Sequence, residues 1–112
     1  MNTSNAKGRA FEGAVLNALK DTLCFEGKIE LGDNPATLNA LHHFSNLDYQ
    51  EETAYSFLAL KGIRVIADDI ENRFGVIDNP VLYIQSDRNG ETGDVRDIVL
   101  LDKNGLEITG IS

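Results

Sequence analysis

The spacing of apolar residues changes from a helical period to a strand period near Gly75. Before that glycine, apolar residues recur every three or four positions, whereas VLYIQS, VRDIVLL and LEITGIS are short apolar or alternating runs bounded by Gly, Asn and Asp. We therefore predict an α/β protein of the α+β kind, with N-terminal helices packed on a small mixed or antiparallel sheet. The helices are expected within residues 7–74 and the strands within residues 81–112, in a single domain.

Three helices are predicted before the change of period. The first runs over about residues 7–23, and the Asn34-Pro35 pair starts the second. Asp48 with Glu51 three positions later forms a capping-box pattern that opens a third, longer helix. We expect the first helix to pack on the sheet.

The DKNG sequence between the last two strands predicts a hairpin, and its register decides which side chains meet. A two-residue type I′ turn over NG places Leu101 beside Ile108. The same register places Asp97 beside Ser112. A type I turn with a bulge at the glycine would instead place Leu101 beside Glu107. We favour the two-residue turn because it pairs an apolar residue with an apolar residue.

Two carboxylates lie among apolar residues. Asp97 interrupts an otherwise apolar strand, where a carboxylate is costly to bury unless a cation or hydrogen-bond donors accompany it. An ion pair with Arg96 or Arg88, or a place at the sheet edge, would also explain it. Glu12 shares a stripe of the first helix with apolar residues and is either aimed inward or exposed near the helix start.

The net charge of −8 does not resemble that of a nucleic-acid-binding surface. Residues 1–32 carry four basic and four acidic side chains, but residues 33–74 and 75–112 each carry three basic and seven acidic ones. Since phosphate contacts come mainly from Lys and Arg, a surface that holds DNA would have to come from elsewhere. Carboxylates that hold divalent cations would account for part of the acidic excess in the last third.

The sequence indicates a cytoplasmic protein. No apolar run is as long as a membrane span, and the start MNTSNAKGR lacks the apolar stretch of a secretory signal. The single cysteine, Cys24, cannot form an internal disulfide. We expect Cys24 to be a small buried hydrophobic residue and not a nucleophile.

The segments GDVRDIVL (93–100), LEITGIS (106–112) and KGRAFEGAVLNAL (7–19) resemble the HaeIII-like type II restriction endonucleases, a branch of the PD-(D/E)XK nuclease superfamily. Residues 26–74 contribute little to this resemblance. Family members are much longer, so the resemblance implies that this chain corresponds to the N-terminal portion of a restriction-endonuclease-like domain.

The resemblance also implies a Mg²⁺ site and the residues that form it. Asp97 matches the aspartate that starts a strand in the superfamily, and Glu12 matches a helix glutamate that often adds a metal ligand. Ser112 would stand in place of the second acid, unless Glu107 serves. The motif lysine would then lie two residues after Ser112, so the chain as given is expected not to cut DNA. Asp94 is either a further ligand or a loop-capping residue.

Two classes of function follow from these observations. The first is the N-terminal fragment of a Mg²⁺-dependent endonuclease that acts on double-stranded DNA, for which a palindromic target would favour a homodimer. The second is a small acidic protein-binding module, for instance a DNA mimic or an immunity-type partner. A nuclease fold retained only for its structure is a third alternative.

Overall fold

The computed structural model describes residues 3–85 and 97–111, with the side chains of residues 6–85 and 98–111. Its elements follow in chain order: α1 Thr3–Thr22, β1 Phe25–Glu26, β2 Glu30–Leu31, α2 Pro35–Ser45, α3 Tyr49–Phe74, β3 Ile77–Asp78, β4 Val81–Gln85, β5 Asp97–Leu101 and β6 Glu107–Ile111. The α+β architecture predicted from the sequence is confirmed. Within the described ranges, no helix combines the length and apolar character needed to cross a membrane.

The described strands form one four-stranded mixed sheet and one two-stranded parallel sheet. The four-stranded sheet has the order β2-β4-β5-β6, in which β2 runs parallel to β4 and the other neighbours are antiparallel. A second, two-stranded sheet joins β1 and β3 in parallel. The predicted helical region 7–74 therefore contains two short strands, β1 and β2. Their partners lie about 50 residues further along the chain, which local sequence patterns do not reveal.

The starts of α2 and α3 follow the sequence signals with one difference at α2, whereas α1 begins at Thr3 and not near residue 7 as predicted. The carboxylate of Asp48 accepts a hydrogen bond from the Glu51 N–H at 2.8 Å, as the capping box predicts. Asn34 occupies the N-cap position of α2, but its side chain makes no capping bond. Its amide instead donates to the carbonyl of Ile84 in β4 at 2.8 Å, so a local helix signal also makes a tertiary contact.

Thr37 completes this link between α2 and β4. Its fully buried hydroxyl donates to the Asn34 side-chain oxygen at 2.5 Å and accepts the N–H of Ile84 at 2.8 Å. One hydroxyl thus satisfies a backbone N–H that would otherwise lack a partner inside the protein. The link fixes the start of α2 against the central strand.

Thr37→Val is expected to destabilise the fold by about 1–3 kcal/mol, because it keeps the shape of the side chain but leaves the Ile84 N–H unsatisfied. Thr37→Ser retains the hydroxyl and is the matched control. Urea unfolding of both variants measures the difference, and amide exchange at Ile84 reports the lost bond. Equal stability of Thr37→Val and the wild type would contradict the role of the hydroxyl.

The core lies between α1 and the four-stranded sheet, as predicted. Leu16 and Leu19 of α1 belong to the same buried cluster as Leu82, Ile84 and Leu100 of β4 and β5. These large apolar side chains are fully or almost fully removed from water. The position of α1 on the sheet is therefore set by hydrophobic packing.

Helix α3 exposes several of its large apolar side chains. It runs without interruption through Gly62, and its buried face consists of Ala59, Ile63, Ala67 and Ile70. Phe57, Leu58, Leu60 and Val65 are exposed. The apolar residues from which the sequence predicts α3 therefore belong in part to its surface and not to the core.

The hairpin between β5 and β6 corrects the predicted register. Leu101 pairs with Glu107 and not with Ile108. The next pair joins Leu100 to Thr109, so the strands have a bulge between these two pairs. A type I′ turn requires positive φ at both central residues, but only Gly105 in this turn has it, at 81°. The Asp102 carboxylate accepts the N–H groups of Asn104 and Leu106, at 2.8 and 3.0 Å, and stabilises the longer turn.

The bulge restores the favoured register over the remainder of the hairpin. Past it, Leu100 pairs with Thr109, Val99 with Gly110, and Ile98 with Ile111. The pairing of Val99 with Gly110 is the one that the two-residue turn predicted. The prediction was therefore wrong at the turn and right at the far end, because one extra residue in β6 offsets the longer turn.

Cys24 is exposed, which corrects the prediction that it is buried. It follows α1 and precedes β1, next to Glu71 of α3. A hydrogen bond to the Glu71 carboxylate, with smaller contributions from burial and from neighbouring negative charge, raises the pKa of the Cys24 thiol. A raised pKa disfavours the reactive thiolate. This direction agrees with the prediction that Cys24 is not a nucleophile.

Candidate metal centre

Glu12 lies in a cleft between the helices and the far end of the β5–β6 hairpin. The cleft, of about 310 Å³, is lined by Glu12 together with Phe11, Val15, Leu58, Ala59, Gly62, Ile63, Ile66, Ile98 and Ile111. Among the described residues of this lining, Glu12 is the one that carries a charge, and its side chain is 24% exposed. Of the two alternatives for Glu12, inward or exposed, the structure shows the inward one. The residues around Glu12 are largely apolar.

Arg9 partly balances the charge of Glu12. Its Nη1 lies 3.4 Å from Glu12 Oε1, one turn earlier on α1, and its side chain is 23% exposed. A half-buried carboxylate in an apolar cleft needs such a partner or a cation. The pair leaves the second carboxylate oxygen of Glu12 available as a ligand, since no hydrogen bond to it is found within the described side chains.

Asp97 begins β5 at the same end of the hairpin. Its backbone pairs with Gln85 of β4, and the next residue, Ile98, pairs with Ile111 of β6. Ile98 and Ile111 both line the Glu12 cleft. The side chain of Asp97 and all of Asp94 and Ser112 lie outside the described residues, so the pairing of Asp97 with Ser112 stays a prediction.

Glu107 lies at the wrong end of the hairpin to act with Asp97. It pairs with Leu101, at the turn, whereas Asp97 begins β5 four residues earlier. At about 3.4 Å per residue the two positions are separated by about 14 Å. Two ligands of one ion lie within a few ångströms of each other. Of the two candidates for the second motif position, Glu107 is therefore excluded by the register.

The donors in the described residues fit a Mg²⁺ site only as part of its ligand set. No group of three or more His, Cys, Asp or Glu side chains lies close together in the part of the chain whose side chains are described. Mg²⁺ keeps several waters and needs one or two carboxylates beside a substrate phosphate. Glu12 supplies one such carboxylate, and a second one would have to come from position 97.

The sequence did not predict the apolar character of the surroundings of Glu12. Leu58 and Ile66 come from α3, in residues 26–74, which contributed little to the family resemblance. One signal in the sequence could have indicated this cleft. Helix α3 has more apolar residues than a single buried face can accommodate, so some of them had to lie elsewhere on the helix. Only the packing of α3 against α1 shows which of them border the cleft.

Comparisons with known proteins agree on one family. The family model described as HaeIII restriction endonuclease matches residues 8–112. The type II restriction enzyme HaeIII of Haemophilus aegyptius is 34% identical over 106 residues, which cover 92% of this chain and 32% of the relative. This chain therefore spans about a third of the length of that relative. No solved structure matches it significantly.

Proposed function

Because the chain belongs to the HaeIII restriction endonuclease family, we propose that it forms the metal-binding part of a type II restriction endonuclease. The substrate is double-stranded DNA, whose phosphodiester bonds are hydrolysed with Mg²⁺ as cofactor. The observation that carries the proposal is the position of Glu12. It lies in a cleft with Ile98 and Ile111, which border Asp97 and Ser112 in the sequence.

In the proposed site, Asp97 and Glu12 hold the ion and Arg9 orients Glu12. Carboxylate oxygens are the ligands that Mg²⁺ prefers. When bound, the ion polarises the scissile phosphate and lowers the pKa of a water molecule. In the proposed site, Ser112 would lie beside Asp97 and offer a hydroxyl that can donate a hydrogen bond. The lysine that the family resemblance implies would orient the attacking water.

The proposal requires a particular direction of the Asp97 side chain at the start of β5. In a regular strand, position 97 shares a face with Val99 and not with Ile98, which lines the Glu12 cleft. Asp97 and Glu12 can share an ion only if the carboxylate turns around the end of the sheet. Coupling between the two residues is therefore the decisive measurement.

Isothermal titration of Mn²⁺ into the wild type, Asp97→Ala, Glu12→Gln and the double variant tests the site. We expect each single change to weaken binding by about tenfold or more, which corresponds to about 1.4 kcal/mol. The double variant is expected to lose little more than Asp97→Ala alone, because two ligands of one ion are not independent. Glu26→Gln, at an exposed carboxylate of β1, is the matched control and should bind as the wild type does.

Two outcomes would contradict the proposal. Equal heats for the wild type and Asp97→Ala would exclude a metal site at Asp97 and favour the acidic protein-binding alternative, which the charge of −8 suits. Additive losses in the double variant would mean that Asp97 and Glu12 act separately on opposite faces of the sheet. Circular dichroism of each variant establishes that a loss of binding is not a loss of fold.

The remaining parts of the proposal concern the whole nuclease. The excess of acidic residues implies that the positive surface for DNA comes from a region beyond these 112 residues. The 112 residues would form the N-terminal part of one nuclease domain in the cytoplasm. A homodimer would suit a palindromic target.

A further inference from the structure

The last residue of β4, Gln85, lies directly opposite Asp97 in the four-stranded sheet. The antiparallel register of β4 with β5 pairs the two residues. Directly opposed residues of such a pair share one face of the sheet, with Cβ atoms about 5 Å apart. The diagonal neighbour on the same face, Tyr83, starts about 7–8 Å from position 97. Gln85 is therefore the residue of β4 that starts closest to the candidate metal ligand.

The backbone of Gln85 is directed toward β5. The N–H of Ile84 donates to Thr37 Oγ1 at 2.8 Å, and the Ile84 carbonyl accepts from Asn34 Nδ2 at 2.8 Å, so both groups point to α2. The backbone groups of successive residues in a strand point to opposite sides. The N–H and C=O of Gln85 are therefore directed to Asp97, and the two residues form a hydrogen-bonded pair with Cα atoms about 5.5 Å apart.

The end of β4 that carries Gln85 is held in place by α2. Thr37 and Ile84 are both fully buried, and both backbone groups of Ile84 are bonded to α2. Gln85 comes next in the strand, and its side chain is exposed. A residue that orients a metal ligand must itself be fixed by the elements that carry it. Gln85 meets this requirement, because an exposed carboxamide is attached to a fixed backbone.

A carboxamide beside a metal-binding carboxylate has a specific chemical use. The side-chain NH₂ of glutamine offers two donors, and the group carries no charge. Carboxylates that bind metals are usually hydrogen-bonded to a neighbouring group, which fixes their orientation. A bond to one carboxylate oxygen leaves the other oxygen for the ion.

We propose that Gln85 is a positioning residue of the candidate metal centre. Its side-chain N–H donates a hydrogen bond to one carboxylate oxygen of Asp97, and the other oxygen binds the divalent cation. This inference rests on the proposed function, in which Asp97 is a metal ligand. The bond orients the carboxylate before the ion arrives, so less side-chain freedom is lost on binding.

Nuclear magnetic resonance of the metal-free chain tests the hydrogen bond directly. The sequence contains two glutamines, Gln50 and Gln85, so their side-chain NH₂ signals can be assigned by substitution of each in turn. We expect Asp97→Ala to shift the NH₂ signals of Gln85 and to leave those of Gln50 unchanged. Signals of Gln85 that do not move in Asp97→Ala would overturn the proposal.

Titration of Mn²⁺ tests the effect of the bond on the metal centre. Gln85→Met keeps the approximate length of the side chain and removes its donors. We expect this change to weaken Mn²⁺ binding about tenfold, as loss of a partner that orients a ligand does. The same change made in Asp97→Ala should have no further effect, because Gln85 acts through Asp97. Gln50→Met, at an exposed glutamine of α3, is the matched control and should bind as the wild type does.

The outcomes separate this inference from the proposed function. Unchanged Mn²⁺ binding by Gln85→Met, together with weak binding by Asp97→Ala, would overturn the role of Gln85 alone. An equal loss on Gln85→Met with and without Asp97 would also overturn it, since Gln85 would then act independently of the carboxylate. Unchanged binding by both Gln85→Met and Asp97→Ala would overturn the proposed metal site as well. Circular dichroism of each variant establishes that the fold is retained.

Discussion

Gly13→Ala is expected to destabilise the protein, although alanine is the better helix former. Gly13 lies where α1 crosses α2, and a Cβ there would be 2.5 Å from the carbonyl oxygen of Ala40 and 2.8 Å from the Cβ of Phe44. Alanine gains about 1 kcal/mol of helix propensity over glycine. Overpacking costs about 1–3 kcal/mol, and the upper end applies because a backbone oxygen cannot rotate away. We expect a net loss of about 1–2 kcal/mol.

Gly8→Ala is the matched control on the same helix. Among the described residues, nothing lies within 4 Å of a Cβ at Gly8, so the expected change is in helix propensity. We expect Gly8→Ala to stabilise the protein by up to about 1 kcal/mol. Thermal unfolding measures both variants and should shift their melting temperatures in opposite directions. Stabilisation by Gly13→Ala would mean that α1 and α2 are further apart than described.

The same substitution bears on the candidate metal centre. Gly13 faces α2, and Glu12, one residue earlier, is rotated by about 100° toward the cleft. Separation of α1 from α2 would therefore move Glu12 relative to Ile98 and Ile111. We expect Gly13→Ala to weaken Mn²⁺ binding beyond what its stability loss explains, while Gly8→Ala leaves it unchanged. Comparing Mn²⁺ binding by the two glycine variants therefore tests whether the position of α1 affects the site when the Glu12 side chain itself is unchanged.

Leu100→Ala is expected to have the largest effect on stability. Leu100 of β5 is fully buried, beside Leu82 and within the cluster that includes Leu16 and Leu19. Truncation of such a leucine costs about 2–5 kcal/mol, through lost transfer free energy and the cavity left behind. This is a large part of the roughly 5–15 kcal/mol that stabilises a typical domain. Urea denaturation measures the loss as a lower midpoint at similar slope.

Leu106→Ala in the turn of the same hairpin is the control. Leu106 is 66% exposed, so its truncation should change the free energy of unfolding by no more than about 0.5 kcal/mol. The two variants remove the same atoms from the same hairpin and differ only in burial. Similar effects of the two changes would contradict the placement of Leu100 in the core.

The local signals in the sequence predicted the local structure well. The capping box at Asp48 forms, α2 begins at Pro35, and the three longer strands β4, β5 and β6 follow the change of period as expected. Each of these features depends on interactions within a few residues, so the sequence states them directly. The family resemblance, which depends on residues 93–112 and 7–19, is confirmed by the comparisons.

The hairpin shows where a local signal was insufficient. NG suits a two-residue turn, but the Asp102 carboxylate stabilises a longer one through the N–H groups of Asn104 and Leu106. The two turns differ by a small free energy, and packing of the strands decides between them. The bulge next to Leu101 then brings the apolar faces back into register. That register excludes Glu107 as a partner of Asp97, which sequence reasoning had left open.

The sequence by itself determined the three helices, the order of β4, β5 and β6, the cap at Asp48, the acidic charge and the family. Tertiary structure alone decided that Asn34 and Thr37 bind β4, that Cys24 is exposed, and that Glu12 lies in an apolar cleft. The reason is physical. Caps and periods are set by neighbours along the chain, whereas burial and hydrogen-bond partners depend on surfaces contributed by residues about 50 or more positions away.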